Sequence, residues 1–233
     1  MALDFHSVMF ASPEPQRAAA FWGTILDRGA DTDAEGVTLH GTPGQVGLRF
    51  VTGPGHGVGK NRLHLHLSEG SRVQRATIAA SIDAGARLLG NGHVPENSYA
   101  VMEDPGGDEF CVIEDGNSYL AGCGPLGEVT CAGTRAVGHF WSQAVGWPLV
   151  WEEGDETAIQ SPAGGTKIAW SGDPEAPGAA PDRQTFVLTA PASDMDNEVE
   201  RLIALGATAR ADGPTGERRL ADIDGNVFVV LVR

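Results

Sequence analysis

Two histidines, a cysteine and a carboxylate are the side chains whose spacing lets this chain do chemistry. Arg62–Leu67 alternates strictly, so a strand there puts His64 and His66 on one face and Leu63, Leu65 and Leu67 on the other. Glu109–Glu114 alternates as well, setting Glu109, Cys111 and Ile113 against Phe110, Val112 and Glu114. Imidazole changes charge near neutral pH, so each histidine is a candidate proton carrier or metal ligand. Glu109 is a candidate general base, set against the ordinary fate of a carboxylate at a strand end, which is solvation. Cys111 lies between Phe110 and Val112 and reads as a buried thiol, with nothing adjacent in sequence to lower its pKa.

Four of the five tryptophans, Trp141, Trp147, Trp151 and Trp170, fall in the second half of the chain. Trp141 sits on an apolar helix stripe and reads as core. Trp151 and Trp170 lie on strands and, with His66 and Cys111, are candidates to line a pocket, since an aromatic wall stacks on a planar ligand. His56 and Lys60 belong to the Gly-rich loop Gly53–Lys60, which either folds over a cleft or is plain surface.

The elements that position these residues come in repeats. Asp104-Pro105-Gly106-Gly107 reads as a tight turn, with Pro105 at its first central position and Gly106 supplying a positive φ, feeding the strand that carries Cys111. Roughly 120 residues later Asp222-Ile223-Asp224-Gly225 feeds Val227–Leu231 in the same way. Phe21-Trp22 returns as Phe140-Trp141, and Ile82–Ala86 as Ile203–Ala207, in the same order. Three landmarks at nearly constant offset indicate two tandem copies of one domain, placed at residues 1–116 and 127–233, with 117–126 as a Gly-rich linker.

Each copy reads as strand, helix and three strands, then the same again. In the first copy Asp4–Ala11 alternates as a strand, prolines at 13 and 15 open a helix, and Ala18, Phe21, Trp22 and Ile25 form one apolar stripe, with Gly29 as its stop. Gly36–His40 and Val46–Val51 follow as strands. Ser71–Gln74 is a capping box for a second helix that ends at Gly85. In the second copy a helix is expected over 134–144.

Composition is that of an ordinary globular protein, 41% hydrophobic and 20% charged, with no apolar run long enough to span a membrane. A net charge of −15 argues against nucleic acid or an anionic membrane surface as partner. Three cysteines without CxxC spacing fit reduced thiols, and the first residues show no secretory signal, so a cytoplasmic location is expected.

The βαβββ order, the Phe-Trp of the first helix, the Leu-Gly-Ala-like end of the second and the Asp-Pro-x-Gly-x-x-Phe strand resemble the vicinal oxygen chelate superfamily, in its glyoxalase and bleomycin-resistance-like branch. The resemblance covers essentially the whole chain. It implies an α+β fold of two tandem glyoxalase-like domains, each of two βαβββ modules with mixed curved sheets around a cleft. It also implies either no cofactor or one divalent metal ion, of zinc, nickel, iron or manganese. His6 falls on the family's first-strand ligand position and His64 on its counterpart in the second module, so these are the candidate metal ligands, both directed into one cleft. Cys111 stands where the closing glutamate is expected, and the fourth position, near Leu48 or Arg49, holds no acid. In the second copy Thr185 and Val229 occupy the matching places, and that copy is degenerate. The incomplete ligand set points first to a protein that binds a small organic molecule. The alternatives are a metal-dependent lyase, isomerase or dioxygenase with its site in the first domain, and an inactive assembly module. The chain would act as a monomer or a homodimer.

Overall fold

The computed structural model describes residues 3–54, 62–68, 70, 72–90, 94, 98–173, 183–213 and 216–233. His56, Lys60 and Ser71 lie outside them. The first unit is β1 (Asp4–Ser12), α1 (Pro15–Leu26), β2 (Ala30–Thr32), β3 (Gly36–Leu39) and β4 (Gly47–Thr52). The second is β5 (Leu63–Leu67), α2 (Gln74–Asp83), β6 (Arg87–Leu88), β7 (Ala100–Glu103) and β8 (Glu109–Val112). The third is β9 (Leu126–Ala132), α3 (Arg135–Val145), β10 (Leu149–Glu153), β11 (Glu156–Gln160) and β12 (Lys167–Ser171). The fourth is β13 (Gln184–Ala190), α4 (Met195–Ala204), β14 (Thr208–Ala209), β15 (Arg218–Ala221) and β16 (Val227–Val232). The fold is α+β, with two βαβββ units in each half.

Local chemistry sets the ends of these elements. Pro15 opens α1, where a missing amide hydrogen costs nothing, and Ala18, Phe21, Trp22 and Ile25 are its buried stripe. The helix stops earlier than Gly29 suggests, at Asp27, which takes a left-handed φ of 55° and bonds back to Gly23. Helix α2 begins at Gln74, whose amide donates to Asp115 Oδ1 at 2.7 Å. The repeated turn is held by its aspartate. Asp104 Oδ1 accepts from the amides of Gly106 (2.8 Å) and Asp108 (3.0 Å). Asp222 Oδ1 accepts from Asp224 and Asn226, both at 3.0 Å. The positive φ falls one residue later than the sequence pattern suggests, on Gly107 (89°) and its repeat Gly225 (86°). A hydrogen bond from the Gly107 amide to the Asp104 carbonyl puts both central turn positions before it.

Each of these aspartates also holds the tryptophan of its own half. Trp22 Nε1 donates to Asp104 Oδ2 at 2.9 Å and Trp141 Nε1 to Asp222 Oδ2 at 3.1 Å. The Phe-Trp pairs and the Asp turns recur together because each indole buries its N–H on the turn's carboxylate.

The sheets do not follow the halves. One sheet runs β14-β15-β16-β13-β1-β4-β3-β2, so it joins the first unit to the fourth; the other runs β10-β11-β12-β9-β5-β8-β7-β6 and joins the second to the third. The seams are antiparallel, with Val8 opposite Phe186 and His64 opposite Thr130. A boundary between 116 and 127 therefore divides the sequence into its repeats but cuts through both sheets. Between the two sheets, Gln184 of β13 exchanges two hydrogen bonds with the Leu63 backbone of β5, and Arg183 pairs with Asp108 at 2.6 Å.

The larger core cluster takes Val8, Phe10, Leu48 and Phe228 from the first sheet and Leu63, Leu65, Phe110 and Ile168 from the second, with Trp22 and Trp141 of the helices among them. The sheets thus turn one face inward onto shared helices and the other outward. Gly138 lets α3 come close to β11, since a Cβ there would lie 2.0 Å from Thr157 Oγ1.

Candidate functional site

The middle of the second sheet carries the densest chemistry. Strand β5 lies between β8, its parallel neighbour, and β9, its antiparallel neighbour from the other half. Register puts Cys111 on one side of His66 and Glu128 on the other, and Glu128 faces Lys167 of β12. Leucines 63, 65 and 67 fill the core face, so alternation sends His64 and His66 outward.

His66 Nδ1 lies 2.8 Å from Glu128 Oε2, and the Tyr119 hydroxyl donates to Glu128 Oε1 at 2.7 Å. Both oxygens of this carboxylate, whose side chain is 7% exposed, thereby have a partner. Lys167 donates to the Tyr119 carbonyl, and its ammonium lies 3.7 Å from the centre of the Tyr119 ring. His66 pairs in register with Cys111 of β8, and His64 Nε2 stands 3.8 Å from Glu109 Oε2.

These contacts reset the acidities. Burial works against a charge on His66, but the neighbouring Cys111 and Glu128 outweigh that and raise its pKa to about 9. Burial likewise pushes the Cys111 thiol up, and the two imidazoles overcome it and bring it down to about 7. The Tyr119 hydroxyl is held neutral, by burial first and the Glu128 charge second. Cys111 itself is 6% exposed and packs with Ile113, Leu120 and Cys123 in an apolar cluster, the buried setting its sequence neighbours suggest.

Beside this row is a cavity of about 320 Å³, whose walls include His66, Tyr119, Glu128, Thr130, Trp151 and Glu156. The Trp151 ring meets Tyr119 edge-on, centroids 5.4 Å apart. His66 and Trp151 are therefore brought together in one pocket. Trp170 borders the cavity, but its ring is 1% exposed and stacks on Trp141 at 6.4 Å. Strand alternation turns Ile168 and Trp170 inward, so Trp170 belongs to the core rather than to an aromatic ligand wall. The stretch 117–126 is more than a spacer, since it brings Tyr119 onto Glu128 and Cys123 into an apolar cluster with Cys111.

The sequence reading missed Glu128, Tyr119 and Lys167. Glu128 and Thr130 do alternate with Val129 and Cys131, which was the available signal; nothing in the sequence ties Tyr119 to a carboxylate nine residues on.

His6 lies elsewhere. It sits at a bulge of β1 in the first sheet, its Nδ1 3.0 Å from Ser7 Oγ. Burial first, then His40 and Arg49, hold its pKa down. His6 and His64 belong to different sheets with the core between, so the expectation that both point into one cleft is not met. In the second sheet His66 is bonded to Glu128, and His64 stands beside Glu109. Among the described residues no three His, Cys, Asp or Glu side chains converge as a ligand shell. The residues present do not fit the divalent ion that the family resemblance implies.

Four βαβββ modules paired into two mixed eight-stranded sheets define a tandem vicinal oxygen chelate protein. The chain belongs to the glyoxalase-like domain family, whose profile matches residues 7–113 and again 128–231. Glyoxalase I from Zea mays is similar in structure with a TM-score of 0.66 and 12% identity, over 98% of this chain and 92% of that one. A putative dioxygenase from Bacillus subtilis gives 0.61 and 12%, over 98% and 84%. At such identities these likenesses show the fold alone. A comparison with curated protein sequences finds no match.

Proposed function

We propose that the protein binds a small organic molecule in the cleft of the second sheet, against Tyr119 and Trp151, with Glu128 and His66 as the polar anchors. The observation that carries this reading is the cavity of about 320 Å³ in which an aromatic pair faces a buried, fully bonded carboxylate. That volume falls in the range of small-ligand pockets, and a few fixed polar groups on an aromatic wall are how such pockets orient a ligand. A planar molecule with a hydrogen-bonding group at one end fits the pattern: Trp151 offers a face, and the His66–Glu128 pair offers both a donor and an acceptor.

Thermal-shift titration with a panel of small aromatic acids, phenols and heteroaromatic amines tests it. At least one compound should raise the melting temperature of the natural chain, and the rise should be lost in both Trp151→Ala and Glu128→Gln. No shift with any compound, or a shift that survives both substitutions, would overturn the assignment.

A further inference from the structure

We propose that the outer face of the first sheet is a second ligand site, one that takes a small aliphatic carboxylate on Arg219 and lays its chain along Val229 and Val187. This site is separate from the pocket of the second sheet and is built from different residues.

Register places one row of residues across the first sheet. Arg219 of β15 lies beside Val229 of β16, Val229 beside Val187 of β13, and Val187 beside Ser7 of β1. The residues that flank them along their strands, among them Leu220, Phe228, Phe186 and Val8, belong to the core. Alternation therefore turns the row outward. The same places in the second sheet hold Val101, Cys111, His66 and Glu128. There the charged pair stands in the middle of the row and the end is apolar. In the first sheet the middle is apolar and a cation stands at the end.

Arg219 is a charge without a partner. Its Nε is buried and unbonded, and among the described residues no acceptor or carboxylate meets its guanidinium. The neighbouring Arg218 points the other way, bonds Asp196 of α4 and has Asp212 at 3.7 Å. Arg49, also on the outer face, is held by Asp33 at 2.9 Å and by Thr38 at 2.7 Å. A shielded guanidinium N–H left open has given up its water bonds and received nothing in return. A carboxylate supplies what is missing, two parallel acceptors and the opposite charge.

The rest of the ligand follows from the floor beside this cation. Val187 is 0% exposed and Val229 3%, yet neither sits in a core cluster. They are the deep middle of the face, and Arg219, Met9 and Val227 around them keep partial exposure. With strands about 4.8 Å apart, the two valines give roughly 10 Å of apolar floor leading from the guanidinium toward Ser7. The floor is aliphatic, so a flexible hydrocarbon chain suits it and no ring is required.

Isothermal titration of the full chain with octanoate at pH 7, beside octanamide as its uncharged counterpart, tests the site. Octanoate should bind with a Kd of about 1 mM or tighter, and octanamide at least about tenfold more weakly, the difference that hydrogen bonds to a charged group make. Arg219→Met should weaken octanoate by a similar factor. Arg219→Lys keeps the charge but loses the planar fork, and should recover part of the affinity. Arg219→Met also removes an unpaired donor and strands no partner, so the variant should melt no lower than the natural chain. No octanoate binding to the natural chain, or equal affinity for octanoate and octanamide, would overturn the proposal, and neither comparison needs a variant to fold. Octanoate affinity that Arg219→Met leaves unchanged would overturn it too, and if Trp151→Ala abolishes that binding the ligand belongs to the second sheet. Failure at Arg219 leaves the result of the aromatic panel standing, and failure of that panel leaves this site standing.

Discussion

His66 in the first half and Glu128 in the second are joined by a 2.8 Å hydrogen bond across the seam between β5 and β9. The bond ties the strand pairing between the second and third units to the polar row of the cleft. Fold and site therefore depend on the same contact.

Removing Glu128 should show that dependence. Glu128→Ala strands a buried imidazole that carries charge at neutral pH and leaves the Tyr119 hydroxyl without its acceptor. Breaking a buried pair by deleting one partner costs about 3–5 kcal/mol, and the partial exposure of His66 places this case near the lower figure. Urea unfolding monitored by tryptophan fluorescence should give that loss, with Tyr119→Phe costing about 1 kcal/mol.

The two indole–aspartate bonds should differ in worth. Trp22→Phe leaves buried Asp104 Oδ2 with no donor among the described residues, whereas after Trp141→Phe the Asn226 side chain still donates to Asp222 Oδ2 at 3.2 Å. An orphaned buried acceptor costs about 1–3 kcal/mol, so Trp22→Phe should be the more destabilising of the two by denaturant titration.

Asp104 gives a pH signature with a definite sign. Burial first, and the Asp108 charge second, raise its folded pKa to about 6 from a usual value of 3.8. The folded state then holds this proton more tightly than the unfolded chain, so its contribution to stability grows as pH falls from above 6 toward 4. Relative to Asp104→Asn, the natural protein should gain stability between pH 7 and pH 5, by up to about 1.4 kcal/mol for each pH unit in the window. A difference that is flat over that range would contradict the assignment.

Splitting the chain should separate repeat from folding unit. Because each sheet takes one module from each half, residues 1–124 expressed alone leave β1 and β5 with open edges, and 125–233 leave β9 and β13 likewise. The two pieces co-expressed as separate chains should copurify in equal amounts. Neither alone should give a folded monomer by gel filtration and circular dichroism.

Much of the architecture was determined by the sequence. Alternation placed His64 and His66 on one strand face, and the repeated Asp turn and Phe-Trp pair marked two copies of one plan. Both are local signals, set by periodicities of two and 3.6 residues and by turn chemistry that acts over four residues. The glycine of the turn was read one position early and the stop of α1 two positions late, since neighbouring residues compete for the same left-handed position. The tertiary structure alone decided which modules share a sheet, because four similar modules offer several pairings with the same inward leucines, valines and aromatic residues. That choice sent His6 and His64 to different sheets and brought Glu128 beside His66, sixty-two residues away along the chain. The neighbours of Cys111 were decided with it, since the residues beside a thiol in space come from an adjacent strand.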